Sequence, residues 1–108
     1  MANPWAGEVE LVIDGQVHVM KLTLGALAEL ETNLNAGTLV ELVQRFEAEG
    51  FSTRDVLALI VAGLRGGGWN GSAADLMAAE IKGGPLAAAR AAAELLARAF
   101  HLPETSNE

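Results

Sequence analysis

Residues 8–22 alternate apolar and polar side chains around Asp14-Gly15, which predicts a β-hairpin. Two registers compete. A two-residue turn at Asp14-Gly15 pairs Leu11 with His18 and mixes polar and apolar residues on each face. A three-residue loop, Ile13-Asp14-Gly15, pairs Leu11 with Val17 and Val9 with Val19. It gathers Val9, Leu11, Val17 and Val19 on one face, and Glu8, Glu10, Gln16 and His18 on the other. Register follows the face that must be buried, so the bulged loop is expected. A lone hairpin is marginal and must lie on helices or on a neighbour's strand.

Beyond the hairpin the apolar spacing changes to three and four, the helical period. Thr23 caps a first helix over 24–34, with Leu24, Leu27, Leu30 and Leu34 in one stripe. Asn35-Ala36-Gly37 stops it. Thr38 and Glu41 form a capping box for a second helix, 39–49, which buries Leu39, Leu42, Val43 and Phe46 and closes at Gly50. Ser52 and Asp55 repeat the cap for a third helix, 53–65, and Phe51 is placed to staple its first turn. Residues 56–64 carry no polar side chain, so this helix belongs at the centre of the core. It is too short to span a bilayer. Arg65 ends it and Gly66, Gly67 and Gly68 release the chain. Ser72 caps a fourth helix, 73–82, with Leu76, Met77 and Ile81 apolar. Gly83-Gly84 is a break, and Pro85 opens a fifth helix, 85–101. The reading is α+β, mostly α: a hairpin and about five helices in one domain, 8–103, packed around the apolar helix. A flexible lead-in, 1–7, and a disordered tail, 104–108, flank it.

The fifth helix is rich in alanine. Arg90, Glu94 and Arg98 lie four apart and predict a charged stripe supported by ion pairs. The remaining apolar surface exceeds what one small domain covers, which marks a partner site. Alanine's helix propensity explains the same composition without a partner.

Charge and composition narrow the function. The 108 residues carry a net charge of −7. Residues 1–50 hold two bases, Lys21 and Arg45, against eight acids, so the excess sits in the front half. Such a chain repels phosphate backbones, which argues against direct nucleic-acid binding. The acidic half either keeps the protein soluble or meets a basic partner. There are no cysteines, hence no disulfide and no thiolate metal site. No secretory leader precedes Glu8, so a cytoplasmic location is expected.

Nothing reads as catalytic, and no cofactor or metal is expected. The glycines after the third helix lack the strand-loop-helix context and the Lys-Ser or Lys-Thr pair of a phosphate loop. His18 and His101 stand apart, with no second ligand at metal spacing. Ser52 and Ser72 are caps. The pairs Glu8/Glu10, Glu29/Glu31 and Glu47/Glu49 fall on exposed faces. Trp5 and Trp69 each cover a core edge or serve an interface. Arg65 is a candidate for a partner's carboxylate.

Several stretches together resemble the small tail protein of alphaproteobacterial gene transfer agents, phage-like particles that carry host DNA. They are Gly7-Glu8, the run Leu22-Thr23-Leu24-Gly25-Ala26-Leu27-Ala28-Glu29-Leu30-Glu31 and the Arg45-Phe46 pair. Further along come Ala62-Gly63-Leu64-Arg65-Gly66-Gly67-Gly68 and the last helix closing at Ala99-Phe100. The resemblance implies a non-enzymatic role in building a phage-like tail. Two roles attach to it: tail-tube component, and tail assembly chaperone for the tape-measure or tube protein. Tube subunits of long-tailed phages are β-rich, whereas this chain is mostly helical, which favours the chaperone. A helical client calls for an apolar groove, which the fifth helix and the glycine hinges at 66–68 and 83–84 could supply. The expected partner-binding residues are Arg65, Trp69, Leu86, Ala89, Ala93, Leu96 and Phe100. The hairpin edge and the fifth helix both permit a homo-oligomer. An acidic regulatory module that masks a basic partner is the third reading.

Overall fold

The computed structural model describes residues 7–33 and 38–100. β1 (Glu8–Ile13) and β2 (Gln16–Lys21) form an antiparallel hairpin. Five helices follow among these residues: α1 (Leu24–Asn33), α2 (Leu39–Glu47), α3 (Thr53–Gly66), α4 (Ala73–Met77) and α5 (Gly84–Phe100). The fold is α+β and mostly α. The expected lead-in through Ala6, Trp5, Leu34, the stop at Asn35-Ala36-Gly37, His101 and the tail lie outside the described residues.

α3 is the centre, in contact with the hairpin, α1, α4 and α5. Its Leu59, Ile60, Ala62 and Leu64 are buried, together with Leu30 of α1, Leu42 of α2 and Leu95 of α5. The hairpin lies on helices, β2 against α3 and β1 against α5.

Its register corrects the bulged-loop expectation. Leu11 faces His18 and Val9 faces Met20 across a two-residue turn. Asp14 (φ 51°) and Gly15 (φ 80°) are both left-handed, as a type I′ turn requires. The two strands are buried unequally. Val9, Leu11 and Ile13 of β1 are all buried, whereas β2 buries only Met20 on the same face and leaves Val17 61% exposed. The bulged register would move Ile13 into the loop and Met20 off the core. The turn is also clamped from outside. Asp14 N–H donates to the Glu80 carbonyl (2.8 Å), and Glu80 N–H donates to Asp14 Oδ1 (2.9 Å).

That clamp explains why α4 stops at Met77 rather than running to 82. Residues 78–82 turn and join the hairpin: Ile81 bridges Ile13, and Lys82 N–H donates to the Val12 carbonyl (3.0 Å). Of the apolar residues of this segment Leu76 is buried, whereas Met77 is 67% exposed. Asp14→Ala keeps a Cβ in left-handed backbone but removes the carboxylate that accepts from Glu80 N–H. It should lower stability by about 1–3 kcal/mol, whereas Asp14→Asn should be close to neutral; thermal melts of the pair check this.

The caps fall where the sequence puts them. Thr38–Glu41, Ser52–Asp55 and Ser72–Asp75 are reciprocal capping boxes, and Thr23 Oγ1 accepts from Ala26 N–H. The exit of α2 differs. The helix ends at Glu47, and Glu49 (φ 59°), not Gly50, takes the left-handed position. Gly50 N–H reaches the Arg45 carbonyl (2.8 Å) and Glu49 N–H reaches Phe46 (3.2 Å), a Schellman closure. The Phe51 ring stacks on Phe46 of α2, with centroids 4.4 Å apart. On α1 the buried residues are Ala26 and Leu30; Leu24, expected in that stripe, stands 84% exposed.

Candidate functional site

The opposite faces of α3 meet different surroundings. Gly63 faces α5, where a Cβ would lie 2.6 Å from Leu95 Cδ1. Half a turn round, at about 100° per residue, lie Arg54, Leu57, Ala58, Val61 and Arg65. The apolar members of this face are only half-buried, so the prediction of a helix enclosed on all sides is corrected. They floor an open groove of ≈ 820 Å³. Its walls include Glu29 of α1, Arg45 of α2, and Ser72 and Ala73 at the start of α4.

Two ion pairs frame this groove. Arg45 binds Asp55 in a fork, Nε to Oδ2 and Nη2 to Oδ1, both 3.0 Å. Asp55 Oδ2 also accepts from Ser52 N–H (2.9 Å). Burial pushes the Asp55 carboxyl upward, but the Arg45 hydrogen bonds, the Ser52 N–H and the guanidinium charge outweigh it and hold it below the usual aspartate range. The pair pins α2 to the first turn of α3. At the other end Arg65 Nε donates to Glu29 Oε1 (2.9 Å), and its Nη1 donates to the Gly71 carbonyl (3.2 Å). Arg65, proposed from sequence for a partner's carboxylate, thus holds one of its own chain. In the first turn of α3, beside Asp55, Arg54 has no ion-pair partner among the described residues. The groove therefore joins an aliphatic floor to one uncommitted cation.

The expected partner residues fall in three places. Arg65 lines the groove, and half-buried Trp69, packed on Gly71, follows just after the end of α3. Leu86, Ala89, Ala93 and Phe100 share a separate face of α5, with Leu86 61% and Phe100 37% exposed. Leu96 is 1% exposed and belongs to the core, because α5 turns it toward the other helices. The expected ion pairs along α5 are not formed: Arg98 Nη1 donates to the Glu8 carbonyl (2.7 Å), and Arg90 and Glu94 have no ion-pair partner among the described residues. Gly66 and Gly67, read as a hinge, press against β2. A Cβ on either would run into the carbonyl oxygen of Lys21 or Val19.

Both hairpin edges are thereby engaged within the chain. On β1, the Val12 carbonyl takes Lys82 and the Glu8 carbonyl takes Arg98. On β2, Val19 and Lys21 meet the two glycines. Among the described residues no group of three or more histidines and acids could hold a metal, and no helix is long and apolar enough to cross a membrane.

The family model described as phage tail tube protein, GTA-gp10, matches residues 6–101. The chain belongs to this gene transfer agent tail family. No curated protein and no solved structure matches it. Membership gives the chain a phage-like, tail-related role. The matched span takes in both the α3 groove and the α5 face. Sequence reasoning missed the groove: 54, 57, 58, 61 and 65 are spaced to share one helical face, but the run 56–64 is apolar on every face and nothing local marks this one as open.

Proposed function

We propose that this member of the gene transfer agent tail family is a tail assembly chaperone. It holds a helical segment of the tape-measure or tube protein in the α3 groove. The observation that carries this is the open face of Leu57, Ala58 and Val61 in a chain whose hairpin edges are already engaged. An amphipathic helix would lay its apolar stripe on that floor, and an acidic residue on its flank would meet Arg54. Ring assembly through β-strand addition would need a hairpin edge, and here those edges meet Lys82, Arg98, Gly66 and Gly67.

Titration of the full chain with tape-measure protein tests the reading. Leu57→Asp or Val61→Asp places a charge on the floor and should weaken binding by on the order of a hundredfold. Arg54→Glu should weaken it by about tenfold, more at low salt than at high. Binding indifferent to all three variants would exclude the groove as the site.

The second reading is a structural tube component, which the family's description favours. Composition of purified particles separates the two. A chaperone is present in assembly intermediates and lost from finished tails; many copies in the finished tail would overturn the chaperone reading.

A further inference from the structure

We propose that α5 is a self-association surface, on which a second copy of this chain docks its own α5 antiparallel about a two-fold axis. The stripe, exposed at Leu86, Ala93 and Phe100 and half-buried at Ala89 and Ala97, has the same order of large and small residues from both ends. Ala93, exposed, is its midpoint; Ala89 and Ala97 lie four residues out, and Leu86 and Phe100 lie seven residues out. A second α5 crossing at Ala93 sets Leu86 of each copy against Phe100 of the other, and Ala89 against Ala97. Small residues at the crossing let the helices approach, and the large ones fill the space where they diverge.

The charges are self-complementary in the same register. Arg90 and Glu94 flank one side of the stripe, three residues before and one residue after the midpoint. In an antiparallel two-fold pair, like flanks meet. Arg90 of one copy then comes within two residues, about 3 Å along the axis, of Glu94 of the other, and the contact occurs twice. Neither side chain has an ion-pair partner among the described residues of its own chain, although their i, i+4 spacing would allow one. The surface also avoids the chain's acidic excess, because α5 carries Arg90 and Arg98 against Glu94 alone. One helix pair falls below the area of a permanent dimer, so the dissociation constant is expected on the order of 100 µM. Because α5 packs on the Gly63 side of α3, such a dimer leaves both grooves open.

Sedimentation equilibrium of the full chain, from about 10 µM to about 1 mM, tests the proposal across that expected constant. The wild-type chain should pass from monomer to dimer. Ala93→Glu should remain monomeric with an unchanged circular-dichroism spectrum. Arg90→Glu and Glu94→Arg should each raise the dissociation constant by on the order of tenfold, and the double exchange should restore it. A monomer throughout the range would overturn the proposal. So would a dimer indifferent to Ala93→Glu, or a double exchange no better than the single variants. If Ala93→Glu fails to fold, the charge exchange decides alone, since both residues are on the surface. The outcome is separate from the chaperone reading: groove variants move client binding, and α5 variants move association.

Discussion

Gly67→Ala should lower the melting temperature of this chain by roughly 12–20 °C, and Gly66→Ala by a similar amount, as expected for a loss of about 3 kcal/mol in a domain of this size. The direction is opposite to the usual one. Gly66 lies in the last turn of α3, where alanine ordinarily stabilises a helix by up to about 1 kcal/mol. Here the added methyl of either variant meets a backbone oxygen, Lys21 for Gly66 and Val19 for Gly67. A carbonyl in a paired strand cannot rotate away, so α3 and β2 must separate. That separation would lift α3 off Met20, which is fully buried on the same strand. Two other glycines calibrate the effect. At Gly63 the nearest atom is the flexible tip of Leu95, at 2.6 Å, so alanine there should cost less. At Gly50 nothing lies within 4 Å, and alanine should be neutral or slightly stabilising. Thermal melts of the four variants should rank Gly66 and Gly67 worst, Gly63 next and Gly50 last. If Gly67→Ala melted with Gly50→Ala, the close approach would be refuted.

The same glycines mark the limit of what the chain discloses by itself. Local signals were legible: Thr38, Ser52 and Ser72 each cap the helix they announce, and the 3–4 spacing of Leu39, Leu42, Val43 and Phe46 gives the core side of α2. What escaped depends on neighbours distant in sequence. The hairpin register turned on Ile81 reaching Ile13, which favours β1 over β2 for burial. The end of α4 turned on the carbonyl and carboxylate that Val12 and Asp14 offer to residues 80–82. Three glycines in a row read as a hinge because no local rule shows a strand pressed against two of them. The candidate site followed the same division. Exposed residues on α5 were visible in composition. The groove was not, since an all-apolar run gives no sign of which face its neighbours leave uncovered.

Asp55→Asn should destabilise the chain at neutral pH by about 2–4 kcal/mol and flatten its acid limb. The carboxylate holds α2 to α3 through Arg45 and also closes the capping box of α3 through Ser52. Its side chain is 11% exposed against 33% for Arg45, so the pair is screened less than a surface pair and desolvated less than a fully buried one. The sign of the pH dependence follows from the depressed carboxyl. The folded state holds the proton less tightly than the unfolded chain, whose aspartate titrates near about 3.9. The stabilisation is therefore complete well above that value and is lost as pH falls through it toward the lower folded value. Denaturant melts from about pH 7 down to about pH 3 should show the wild type losing its advantage over Asp55→Asn across that window. The pair Glu29–Arg65 offers the contrast. Its side chains are 41% and 42% exposed, and Glu29→Gln should change stability by no more than about 1 kcal/mol. Parallel curves for wild type and Asp55→Asn would mean that Arg45 does not engage a charged carboxylate in the folded chain. The α2 wall of the groove would then lack the anchor assigned to it, and client binding by Asp55→Asn would match the wild type.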